Sequence, residues 1–199
     1  MFNLRSRFAA IVLVLFCSGT AMTFDAIWHP VRAFTLCTIF AALPGCTDSY
    51  KPSGQPSFYR SMANASAQLD AAAAASMISG YRRNNGLNPV ALEPHLMRMA
   101  EAQARAMATR NKLDHGVGGQ FNERIRRSGY DAKVAVENIG AGYHTLAEAF
   151  SGWRDSPPHR ANMLRSGVTK MGIAAIYAPG SKYKVFWALI LAAPDDRRG

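Results

Sequence analysis

Three side chains far apart in the sequence, His115, Glu137 and His159, carry the groups best suited to chemistry in this chain. Neutral imidazoles bind divalent cations, and a carboxylate can hold an imidazole through its other ring nitrogen. His159 follows Ser156-Pro157-Pro158 and so reads as the third residue of a helix, where the positive end of the dipole disfavours imidazolium. Two His and one Glu fall short of a closed four-ligand zinc site, so a metal such as zinc would keep waters and bind weakly. A carboxylate beside a metal-bound water can also serve as a base, which makes Glu137 the candidate for a hydrolytic reaction. The residues alone leave a plainer reading open: a His–Glu hydrogen-bond network that only fixes loops.

The chain has five histidines. His29 falls in an apolar N-terminal region, His95 follows Pro94 in a first helical turn with its ring expected in solvent, and His144 precedes a helix cap as a loop residue. Ser156 reads as a helix cap rather than a nucleophile. No His-Glu-x-x-His helix and no Gly-x-Ser-x-Gly elbow is present, which counts against the common hydrolase designs.

The elements that must position these residues follow from periodicity. Residues 69–83 hold five successive alanines with Met77, Ile78 and Tyr81, a strong helix former stopped by Asn84-Asn85-Gly86. Residues 87–90 read as a turn. Leu92 then opens a second helix to about Arg110, with Leu92, Leu96, Met99, Ala100, Gln103 and Met107 near 3.6 spacing. His115 lies in the glycine-rich loop that follows, before a short helix over 121–127. Glu137 ends a predicted strand over 134–137. Thr145-x-x-Glu148 is a capping box for a helix to about Trp153, and Ser156-Pro157 starts a further short helix carrying His159. Two apolar segments, 171–177 and 185–193, read as strands with Pro179-Gly180 turning the chain between them. The expectation is an α+β domain with a mainly antiparallel three-stranded sheet and helices on both faces.

The stretch from Glu137 to Leu164 has Glu-Asn-Ile, then Trp153, two residues, Ser-Pro-Pro-His-Arg, and Asn-Met-Leu. In that order it resembles the signature of the CAP superfamily, the cysteine-rich secretory, antigen and pathogenesis-related proteins, in its short bacterial form. The resemblance implies a three-layer α-β-α sandwich over residues 65–195. It also implies a central cavity lined by His115, Glu137 and His159, with divalent cations held by the His pair and supported by acidic residues. Longer members have a second Glu three residues after the Trp, where this chain has Ser156. Asp155 either replaces that carboxylate or points to water. Because such a family shares a fold and a cavity rather than one reaction, a non-catalytic, ligand-binding role is the leading expectation and a peptidase-like hydrolase the alternative.

Ahead of the domain lie two apolar runs, 8–17 after Arg5 and Arg7, and 33–43 after Arg32. Both are shorter than the ~20 residues of a spanning helix and suit a signal-peptide core, so residues 1–45 read as a targeting region, with Met22 as a candidate true start. Leu43-Pro44-Gly45-Cys46 resembles a bacterial lipobox, which implies lipidation of Cys46 and a membrane anchor. Plain secretion and an uncleaved helical tether stay open beside it. Residues 46–64, rich in Pro, Ser and Gly, read as that lipidation site and a flexible tether.

The chain carries 23 Lys and Arg against 13 Asp and Glu, a net charge of +10. Such a balance on an exported chain favours anionic partners at the cell envelope, a polymer or a lipid surface. The third reading is therefore a polymer-gripping module using Arg124, Arg126 and Arg127. Nucleic acid is not expected, because the basic residues are scattered with no recognition motif beside them. All three cysteines lie at or before Cys46, so no disulfide can staple the domain, which must hold by its core; a monomer is the expectation.

Overall fold

The computed structural model describes residues 54–195. The N-terminal readings, including both apolar runs, Met22, His29 and Cys46, lie outside the described residues. Element order is a 3-10 turn at Ser57–Tyr59, then α1 (Ala71–Asn84), β1 (Ala91–Leu92), α2 (Pro94–Arg110), α3 (Phe121–Arg127), β2 (Ala132–Ala141), α4 (Leu146–Asp155), α5 (Pro157–Met163), β3 (Lys170–Tyr177) and β4 (Val185–Pro194). Among the described residues no helix is long and apolar enough to cross a membrane.

The sheet has four strands where the sequence suggested three, in the order β1-β3-β4-β2. Leu92, expected inside the second helix, sits instead in β1, which runs parallel to β3. Its spacing of four from Leu96 mimics a helical position. What decides the matter is the local chemistry after it: Glu93 caps the helix by accepting from the Leu96 amide at 2.8 Å, and Pro94 takes the first turn. The amides of Ala91 and Glu93 are thereby left free to bond Thr169 O and Met171 O, both at 2.9 Å.

β4 is the axis of the core. It pairs antiparallel with β2 and β3 and is buried over nearly its whole length. Its alternate residues enter two apolar clusters, as a strand's period of two requires. Val185, Trp187, Leu189 and Leu191 pack with Ile78 of α1, Trp153 of α4 and Met163 of α5. Phe186, Ala188, Ile190 and Ala192 pack with Leu96, Ala100 and Met107 of α2. At the crossing of α2 and β3, a β-carbon on Gly172 would lie 2.1 Å from Leu96 C and 2.2 Å from its O, so the helix backbone rests directly on the strand.

Two features reach beyond the periodic pattern. Arg82 of α1 is 1% exposed yet has no carboxylate partner among the described residues. Its guanidinium donates to the carbonyls of Asn88, Met163, Arg165 and Val168 at 2.8–3.0 Å, tying α1 to the end of α5 and the approach to β3. The second feature is the segment before α1, expected as part of the tether. There Met62 is buried, its amide bonds His144 O at 2.6 Å, and Ser57 Oγ donates to Asp70 Oδ2 at 2.7 Å.

Candidate functional site

Glu137 lies in the middle of β2, opposite Ile190 of β4, and not at a strand end as the sequence suggested. Its side chain is only 2% exposed, and a carboxylate so placed needs partners. Arg124 of α3 provides them: Nη2 donates to Oε1 at 2.8 Å, and Nη1 lies 2.8 Å from Oε2. The second contact is an ion pair without hydrogen-bond alignment. Nη1 and Oε2 are both buried and have no aligned hydrogen-bond partner among the described residues. Arg124 also donates to Gly119 O at 3.0 Å and His115 O at 3.2 Å, so one guanidinium joins the loop before α3 to the sheet.

His115 comes from that loop. Its Nδ1 donates to Glu137 Oε1 at 2.8 Å, since the carboxylate can only accept. The ring is more than half exposed. From α2, Gln103 fixes the loop by donating through Nε2 to Asp114 O and His115 O at 3.0 and 3.2 Å. Its own oxygen is buried without an aligned partner among the described residues.

His159 sits in the first turn of α5 and is half-buried. Burial pushes its imidazole below the ordinary value, and the nearby His115 pushes the same way. The neutral form of His159 is favoured by that shift. Its Nδ1 shares a hydrogen bond with Ser156 Oγ at 2.9 Å. Ser156 occupies the N-cap position of α5, as expected, but its hydroxyl makes no capping bond and turns to the imidazole instead.

Two asparagines lock α5 onto β2. Asn138 Nδ2 donates to His159 O at 3.0 Å, while Asn162 Nδ2 donates to Glu137 O at 3.1 Å and Asn138 Oδ1 at 2.9 Å. Trp153 reaches the same strand from α4, donating to Ile139 O at 3.0 Å. The Asn-Ile and Asn-Met-Leu pieces of the sequence thus hold the helix that presents His159.

Asp155 turns elsewhere. It pairs with Arg154 at 2.8 and 3.0 Å, lies more than half exposed, and its carboxyl is held below the ordinary value by that hydrogen bond. His144 is an exposed loop residue whose amide bonds Glu148 Oε2 at 2.6 Å. His95 differs from its expected solvated position: it is half-buried, and its Nδ1 donates to Ser128 O at 2.8 Å.

Sequence reasoning placed Arg124 with Arg126 and Arg127 on a polymer-gripping face, and that placement is corrected here. Arg124 is buried and its charge is matched by Glu137. The signal lay in the helix period: Phe121, Arg124 and Ile125 share one face, and Arg124 lies 5.2 Å from the Phe121 ring centroid.

As a donor set, the site offers the two imidazoles. Glu137 already serves Arg124 and His115, and among the described residues no three His, Cys, Asp or Glu side chains gather as a metal cluster. Two imidazoles by themselves fall short of the four ligands of a closed site.

The profile of the cysteine-rich secretory protein family, CAP, matches residues 75–191. An uncharacterised protein of Bacillus subtilis (strain 168), YkwD, is 29% identical over 103 residues, which is 50% of this chain and 40% of that protein. Among solved structures, an extracellular protein containing an SCP domain from Bacillus anthracis str. Ames aligns with a TM-score of 0.54 at 22% identity, over 61% of this chain and 39% of the other. An outer surface protein from Borrelia burgdorferi aligns with a TM-score of 0.57 at 17% identity, over 63% of this chain and 93% of its own. The chain thus spans about two fifths of both Bacillus proteins, and the structural likenesses show a shared fold.

Proposed function

Because the chain belongs to the cysteine-rich secretory protein (CAP) family, we propose that it is an exported, envelope-anchored CAP domain with a ligand-binding and non-catalytic His115–Glu137–His159 cleft. On this reading the two apolar clusters on β4 are the two helical layers of an α-β-α sandwich, and Cys46 is the lipid anchor. His115 and His159 would hold a divalent cation weakly through Nε2, with water completing the shell. The cation would polarise an oxygen of a small amphiphile or envelope component. The extracellular and outer-surface descriptions of the structural relatives agree with export.

The observation that carries the reading is the state of the two rings. His115 is oriented by a buried carboxylate that is itself clamped, and burial pushes the His159 imidazole below its ordinary value. Glu137 orients His115, and its carboxylate is committed to Arg124. That is also why the hydrolase alternative is disfavoured: a base needs an oxygen within reach of the water it deprotonates.

Zinc titration of the purified full chain tests the reading, with His115→Ala and His159→Ala alongside. Weak binding to the native chain, lost in each variant, is expected. Identical behaviour of all three proteins removes the site. A reproducible activity on lipid, peptide or glycan substrates that disappears in Glu137→Gln would restore the hydrolase.

A further inference from the structure

At the corner between α2 and α3 lies a cleft of about 410 Å³, lined by His95, Arg98, Met99, Ala102, Arg124 and Arg127 among others. None of His115, Glu137 and His159 lines it. We propose that this cleft is a binding site for a phosphate-type anion, gripped by the guanidinium groups of Arg98 and Arg127 above Met99 and Ala102.

The charges decide the class of ligand. Arg124 forms part of the wall, but its charge is matched by Glu137. Arg98 and Arg127 have no carboxylate partner among the described residues. The acidic side chain nearest in sequence to Arg98, Glu101, is paired to Arg105 at 2.5 Å, and Glu123 meets Arg127 only through its backbone oxygen at 3.4 Å. The cleft therefore presents two uncompensated positive forks. A single guanidinium fork satisfies a carboxylate, whereas a phosphate has enough oxygens to accept from both.

The loop makes room for this arrangement. Gly119 has φ +97°, a conformation that favours glycine, and Arg127 Nη2 lies against it, 2.7 Å from where a β-carbon would stand. The His95 ring is fixed in the wall by its bond to Ser128 O. Met99, 6% exposed, and the methyl of Ala102 offer an apolar surface beside the charges, where an ester's alkyl portion can rest and the local dielectric is reduced. The same chemistry is found in free phosphate and in the headgroup of an anionic phospholipid.

The test uses the purified full chain and two probes: inorganic phosphate by calorimetry, and phosphatidylglycerol vesicles by sedimentation with phosphatidylcholine vesicles as reference. Arg98→Gln with Arg127→Gln removes the grip. Arg83→Gln with Arg165→Gln, exposed and outside the cleft lining, removes the same charge elsewhere. Affinity for one probe should fall at least about tenfold in the first pair and stay within about twofold in the second. Arg98→Lys with Arg127→Lys, which keeps the charge and loses the fork, should fall between. Binding of phosphate assigns the site to free anions as well as esters, and binding of vesicles alone assigns it to headgroups. Equal losses in both Gln pairs, no loss in the first, or no binding of either probe by the native chain overturns the proposal.

Discussion

Arg124 and Glu137 form a buried ion pair, with side chains 8% and 2% exposed and two oxygen–nitrogen contacts of 2.8 Å, that joins α3 to the central sheet. Removing one member leaves the other charged in a dry site. Arg124→Met is expected to cost about 3–5 kcal/mol, read by urea denaturation. Pairing it with Glu137→Gln should lose less than the sum of the two single changes, because the stranded carboxylate is then gone. Additive losses would show that the pair is not coupled.

Asn162 bonds Glu137 O and Asn138 Oδ1. Asn162→Ala leaves both acceptors without that donor. We expect a loss of about 1–3 kcal/mol in denaturation. His159 should also become more exposed, seen as faster modification by diethyl pyrocarbonate than in the native chain. Unchanged stability and unchanged modification would mean that α5 is held by other contacts.

Gly172 marks a place where helix and strand backbones touch. Neither backbone can move away as a flexible side chain could. Gly172→Ala should destabilise by at least about 3 kcal/mol or abolish soluble expression. Gly80, whose β-carbon would meet nothing within 4 Å, should tolerate the same change and serves as the control.

Asp70 caps α1 by accepting from the Ala73 amide at 2.9 Å and also accepts from Ser57 Oγ. These bonds, with the backbone amide first, hold its carboxyl below the ordinary 3.8. A carboxyl depressed by folding adds stability that is present above the unfolded value and lost as pH falls through the folded one. Asp70→Asn keeps a capping oxygen without the charge. It should therefore flatten the acid limb of the stability curve below about pH 4 while changing little at pH 7. A native and a variant curve that run parallel in acid would refute this.

Much of the frame was legible in residue types and spacing. Thr145 and Glu148 form both bonds of the capping box, α3 has the predicted bounds, and β4 was visible as an unbroken apolar run buried on both faces. These are local matters, settled by side chains bonding their own backbone or by a period of 2 or 3.6. The ordered pieces from Glu137 to Leu164 also pointed to the family that the profile match establishes.

Only the tertiary structure decided which polar groups share a dry environment. Arg82 and Arg83 are neighbours of one type on α1, yet the first is buried on four carbonyls and the second is exposed. Arg124 became the clamp of Glu137 and Ser156 the partner of His159. The fourth strand exists because Thr169 O, just before β3, and Met171 O within it are offered to a segment whose Leu92 the sequence alone assigned to a helix. Pairings across 13 to 86 residues depend on which backbone groups folding brings together, and no local pattern encodes that distance.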